Sequence, residues 1–299
     1  MTRTVITEHP VPADSGSGTG PYGITTGPDG ALWFTMARAG CIGRLVPGQE
    51  PTIHRLDPEC GPTVIVSGPD GALWFTEYQG HRIGRITVDG EVTEFATPTA
   101  QAGPYGLTAG PDGALWFTEI NADRIGRITT SGEITEYPLP LRGAFPSMIV
   151  TGSDGALWFT LNQANAIGRM AIDGTVTVHE LPTEAAGPVG LTAGTDDALW
   201  FVEIMAGQIG RITTEGRITE YPLPDRAAKP HAIAAGADGR QWFTEWGTGR
   251  VGSITSDGVI EVHDLPGANT EPHGITIGPD GAVWAALESG ALARVEVKR

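Results

Sequence analysis

The chain has 299 residues, 40% of them hydrophobic, which is enough for one large core and excludes wholesale disorder. Its formal net charge of -16 and pI near 4.7 exclude the basic footprint that nucleic acid requires. No apolar run approaches the ~18–20 residues of a membrane span, and Met1 to Glu8 holds no apolar signal region, so a cytoplasmic protein without membrane contact is expected.

The chain opens with Thr4-Val5-Ile6-Thr7-Glu8-His9-Pro10, a strand-like run. A repeat then takes over. Trp33, Trp74, Trp116, Trp158, Trp200, Trp242 and Trp284 follow one another at a spacing of 41 and then, five times, 42 residues. Each lies in a string like Gly71-Ala72-Leu73-Trp74-Phe75-Thr76, preceded by a turn such as Pro69-Asp70-Gly71. Asp-Gly between apolar runs signals a hairpin, because glycine accepts the positive φ of the turn. An Ile-Gly-Arg-Ile string comes next, as at 83–86 and 125–128. After it stands a run like Glu133-Ile134-Thr135-Glu136-Tyr137-Pro138, whose proline suits an outer strand.

Each unit therefore reads as four short strands joined by tight turns, with no helical period. A four-stranded unit of this length is a propeller blade, and seven of them close a ring without free sheet edges. The fold expected is all-β: one seven-bladed β-propeller of four-stranded antiparallel blades over 1–299. The seventh repeat stops after its third strand near Val297. The N-terminal run resembles the outer strands, so it should complete the last blade.

Most repeated residues read as scaffold. The tryptophans are anchors between blades. Glu77, Glu119, Glu203 and Glu245 should pair with the recurrent Arg44, Arg85, Arg127, Arg169, Arg211 and Arg294. His9, His54, His179, His263 and His81 should be solvated. Cys41 and Cys60 make no disulfide framework, and reduced thiols are expected, with a single pair left open.

Departures from the repeat are more informative. At one point of each unit, where the innermost strand should begin at the channel mouth, the repeats carry Tyr22, Thr63, Tyr105, Ser147, Val189, His231 and His273. The two imidazoles fall in adjacent blades and should lie roughly 10 Å apart, the distance between packed sheets, with room for a substrate between them. Glu271 precedes His273 by two residues, so on extended backbone they would share a side. Leu287 takes the usual Glu position of blade seven, and Glu288 is displaced by one, which turns it to the other face. Two carboxylates beside a histidine make a hard-cation site plausible, suited to Mg²⁺.

The set Lys229-Pro230-His231, Glu271-Pro272-His273-Gly274 and Ala286-Leu287-Glu288, with the seven blades and the latch, resembles the streptogramin B lyase (virginiamycin B lyase) family over essentially the whole chain. The resemblance implies a carbon–oxygen lyase that confers antibiotic resistance. It implies His273 as proton acceptor, His231 as substrate-binding, and Glu271 and Glu288 as Mg²⁺-associated. The implied partner is a cyclic depsipeptide antibiotic, opened at its threonyl ester without water by a monomeric, cytoplasmic protein. Tyr22 and Tyr105 are candidate surfaces for the macrocycle. Two rival readings are a metal-dependent propeller lactonase and a non-catalytic ligand-binding propeller.

Overall fold

The alternating apolar strings and Asp-Gly turns fold into seven four-stranded antiparallel sheets, in a computed structural model that describes residues 3–12, 20–267 and 269–298. Blade one runs Ile24–Thr26, Leu32–Met36, Cys41–Leu45 and Thr52–Arg55 from the axis outward. Five further blades repeat that order, and no helix occurs among the described residues. Blade seven consists of Pro272–Ile277, Val283–Leu287 and Ala291–Lys298, and its outer strand is Arg3–Pro10. That strand pairs antiparallel from Arg3↔Lys298 through Pro10↔Ala291, so the expected latch is present. Neighbouring inner strands touch all the way round, and the ring is closed.

The seven repeat tryptophans are at most 2% exposed. Trp116 of blade three, for example, packs against Ile149, Leu157 and Phe159 of blade four. Burying a Trp of ~200 Å² contributes roughly 5 kcal/mol at about 25 cal/mol per Å². The polar tip of the indole is also satisfied. In every blade but the sixth, the turn aspartate accepts the Trp Nε1–H at 3.0–3.1 Å, as Asp112 does from Trp116. Its other oxygen accepts from the recurrent arginine at 2.6–2.8 Å, as Asp112 does from Arg127.

This overturns the expected Glu–Arg pairing. Trp116 stands opposite Arg127 in register, which puts the guanidinium over the indole and within reach of the turn. The glutamates are opposite a different residue five positions on. Glu77 faces Arg82 at 3.4 Å, Glu245 faces Arg250 at 2.7 Å, and Glu203 accepts from Gln208 at 2.6 Å. No donor reaches either oxygen of Glu119 among the described residues. All four are fully buried, and burial pushes Glu119 and Glu203 up to about 8 and Glu77 to about 7.

The outer-strand histidines are not solvated either. His9, His54, His179 and His263 lie half-buried against Trp284, Trp33, Trp158 and Trp242, with ring centroids 4.8–6.2 Å apart. They occupy the place that Phe95, Tyr137 and Tyr221 take in other blades, and burial lowers their pKa values. His81 is half-buried too, and its Nδ1 accepts from Gly103 N at 3.3 Å. Cys41 and Cys60 are buried and not disulfide-bonded.

One device positions the inner strands. In blades two to seven the pairing slips by one residue after the proline, as between Pro272↔Leu287 and Ile275↔Ala285. Such a bulge re-aims the side chains it spans. A strand threonine pins it. Thr244 Oγ1 accepts from Ala232 N at 3.0 Å and donates to the carbonyl of His273 in the next blade at 2.8 Å. Thr35, Thr76, Thr118 and Thr160 do the same in their blades.

Candidate active site

In blades two to seven the bulge spans the channel-mouth residue. Tyr22, Thr63, Tyr105, Val189 and His231 line a small axial cavity of about 100 Å³. Ser147 and His273 do not, which corrects the expected ring of seven. The hydroxyls of Tyr22 and Tyr105 meet across the axis at 2.7 Å.

His273 is 7% exposed and buried against its neighbours. The rings of His231 and His273 meet edge to face with centroids 4.7 Å apart, not roughly 10 Å, because both side chains lean into the gap between their sheets. No substrate passes between them as placed. Tyr22 covers the His273 ring at 4.5 Å, and Trp246 approaches it at 6.2 Å.

Glu288 lies in the turn after Val283–Leu287. The one-residue displacement seen in the sequence takes it out of the buried glutamate position and across to the imidazole. Its Oε2 is 2.9 Å from His273 Nε2, and its Oε1 is 3.0 Å from Arg38 Nε. The hydrogen bond from His273 lowers the Glu288 pKa against the opposing effect of burial, and the Arg38 guanidinium adds to that. An ionised carboxylate only accepts, so Nε2 carries the proton and the lone pair falls on Nδ1. Nδ1 of His273 has no hydrogen-bond partner. Burial and the neighbouring His273 push His231 down to about 3, so it is a neutral imidazole at physiological pH.

Glu271 is the residue whose placement differs most from expectation. It precedes the strand Pro272–Ile277 and has φ 45°, so the argument from extended backbone fails. Its side chain is exposed, and its carbonyl accepts from Glu288 N at 3.2 Å. It lines a pocket of about 440 Å³ with Lys229, Trp246, Asn269 and Thr270.

A family model described as the virginiamycin B lyase family matches residues 4–295. The chain belongs to the virginiamycin B lyase family. It is 45% identical to a virginiamycin B lyase of Staphylococcus aureus, with TM-score 0.94 over 99% of this chain and 100% of that one. A catalytically inactive histidine-to-alanine variant of that enzyme, in a structure with quinupristin, gives 44% identity and TM-score 0.94 over the same shares. A virginiamycin B lyase of Saccharopolyspora erythraea is 65% identical over 101 residues, a segment that spans 33% of this chain and 33% of that relative.

Family membership makes a metal relevant, and the residues can be weighed for it. Among the described residues no group of three or more His, Cys, Asp or Glu side chains is placed to hold an ion. Mg²⁺ needs less, since one or two carboxylates with waters and substrate oxygens suffice. Glu271 and Glu288 supply two carboxylates on neighbouring backbone, linked by the hydrogen bond from Glu288 N–H to the Glu271 carbonyl. Arg38 competes at Oε1 from a side chain that is 67% exposed. The donor chemistry is compatible with Mg²⁺ completed by waters and substrate oxygens.

Sequence reasoning missed Arg38 and Trp246. Trp246 had a signal, since it is the eighth tryptophan and the one outside the repeat. Its ring carries Lys229 Nζ at 4.9 Å from the centroid.

Proposed function

We propose that this chain linearises cyclic depsipeptides of the streptogramin B class by elimination across the ring ester, and thereby inactivates them as antibiotics. His273 Nδ1 takes the α-proton of the threonine unit. The electron pair of that C–H bond forms the α,β-double bond as the β-carbon–oxygen bond breaks. The carboxylate departs with that bond's electrons and leaves a dehydrobutyrine end. The proton rests on His273 until water removes it. No water is consumed, so product and substrate have equal mass.

Each neighbour has a part in that chemistry. Glu288 holds the tautomer and stabilises the imidazolium as it forms, a role worth about 10²–10⁴-fold in comparable acid–base catalysts. His231, kept neutral by burial, donates or accepts a hydrogen bond without adding charge. Tyr22 and Tyr105 give aromatic surface to the macrocycle. Glu271 and Glu288 would hold a Mg²⁺ ion, which would supply Lewis-acid polarisation of the carbonyl next to the acidic carbon. The protein acts as a cytoplasmic monomer on this reading.

The observation that carries the proposal is the buried His273–Glu288 pair with its unpartnered Nδ1, in a chain that matches the family from end to end. The test is mass spectrometry of quinupristin incubated with the protein and Mg²⁺. A linear product of unchanged mass is expected. A gain of one water identifies a lactonase, and an intact macrocycle bound without turnover identifies a binding propeller.

A further inference from the structure

Two residues before the channel-mouth residue, the backbone is left-handed in six blades. Glycine meets the requirement in three of them, Gly61, Gly103 and Gly187, with φ 60–65°. The other three carry Phe145 (φ 57°), Lys229 (φ 50°) and Glu271 (φ 45°). An L-residue there is strained, and such strain persists where a site uses the side chain. Lys229 and Glu271 flank His231 and His273 and line one pocket. Phe145 is in blade four, away from them, and the elimination chemistry gives it no task.

Its surroundings give it one. Phe145 leaves a large apolar side chain 37% exposed. In blade five the equivalent Gly187 is covered by Met205, whose Cγ is 2.9 Å from where a Cβ would be. Met205 is 71% exposed. Two neighbouring blades thus present an apolar side chain at the same ring position, on the face that holds His273. Of the other large exposed apolar residues, Val92 opens the outer strand Val92–Ala96, and Ile172 and Val259 lie in the loops that lead into the outer strands of their blades.

We propose that Phe145, with Met205, seats an apolar side chain of the macrocyclic substrate remote from the reacting ester and so selects among substrates. This rests on the depsipeptide reading above. Neither side chain carries a strong donor or a charge, so the group they take is hydrocarbon or aromatic, with the soft Met205 thioether adapting to its shape.

The experiment uses Phe145→Gly and Phe145→Leu. Quinupristin affinity is measured in the His273→Ala background, and KM and kcat in the otherwise native protein. Phe145→Gly should raise Kd and KM about tenfold, keep kcat within about twofold, and leave the thermal midpoint equal or higher because the left-handed backbone relaxes. Phe145→Leu should fall between. Unchanged Kd and KM in Phe145→Gly overturn the assignment while leaving the lyase reading intact. If the native protein fails to open the ring, the lyase reading falls, and the Kd comparison still decides Phe145. No quinupristin binding to the His273→Ala protein overturns both.

Discussion

Glu288 Oε2 stands 2.9 Å from Nε2 of His273, and both side chains are 9% exposed. In that setting the carboxylate fixes which nitrogen is basic. Glu288→Gln keeps the shape but removes the charge that stabilises imidazolium. It should lower kcat by about 10²–10³-fold at neutral pH with the fold intact by circular dichroism. His273→Ala should lose the remaining base catalysis. A Glu288→Gln protein at native rate would show that the pair is structural.

Metal removal separates the two carboxylates' duties. EDTA should abolish ring opening, and added Mg²⁺ should restore it, while the thermal midpoint stays put, because the ring is closed by strand pairing away from Glu271 and Glu288. Full turnover in EDTA would remove Mg²⁺ from the scheme.

Stability should fall as pH rises through neutrality. Glu119 has a folded pKa of about 8 against an ordinary 4.5, so between those values the folded chain holds a proton that the unfolded chain has lost. Its contribution is fully present below pH 4.5 and is lost as pH rises toward 8. Glu203 acts in the same direction. Glu119→Gln should therefore stabilise the protein at pH 8 by on the order of a few kcal/mol and flatten the profile, measured by denaturant titration. A profile unchanged by the substitution would contradict a buried neutral acid.

Removal of residues 1–12 should cost far more than a surface truncation. It strips the partner of Ala291–Lys298 and exposes an edge next to Trp284, whose stacking partner is His9. A fall in thermal midpoint on the order of 10 °C is expected by calorimetry. An indifferent truncation would show that the ring closes without its latch.

The fold was legible because Trp33 to Trp284 mark the repeat and the Asp-Gly turns mark its hairpins. The channel-mouth position and the displaced Glu288 were legible for the same reason, as departures from a symmetric background. Recurrence alone could not say which acid meets which base. Arg127 and Glu119 recur equally well, but cross-strand register sends one to Asp112 and sets the other opposite Arg124. Nor could it reveal the bulge after Pro272, or that the His231 and His273 rings meet with centroids 4.7 Å apart. That irregularity comes from backbone pairing and the Thr244 bridge, and leaves no distinct composition behind.

The blade that carries His273 and Glu288 joins a strand that precedes the first repeat to strands of the last. During synthesis Arg3–Pro10 stays without its partner until Ala291–Lys298 has been made. The His273–Glu288 pair therefore forms in a blade that is finished only once Ala291–Lys298 has been made. A chain cut short before Ala291 loses the strand that joins Arg3–Pro10 to the sheet of His273, and with it the frame of the proposed site.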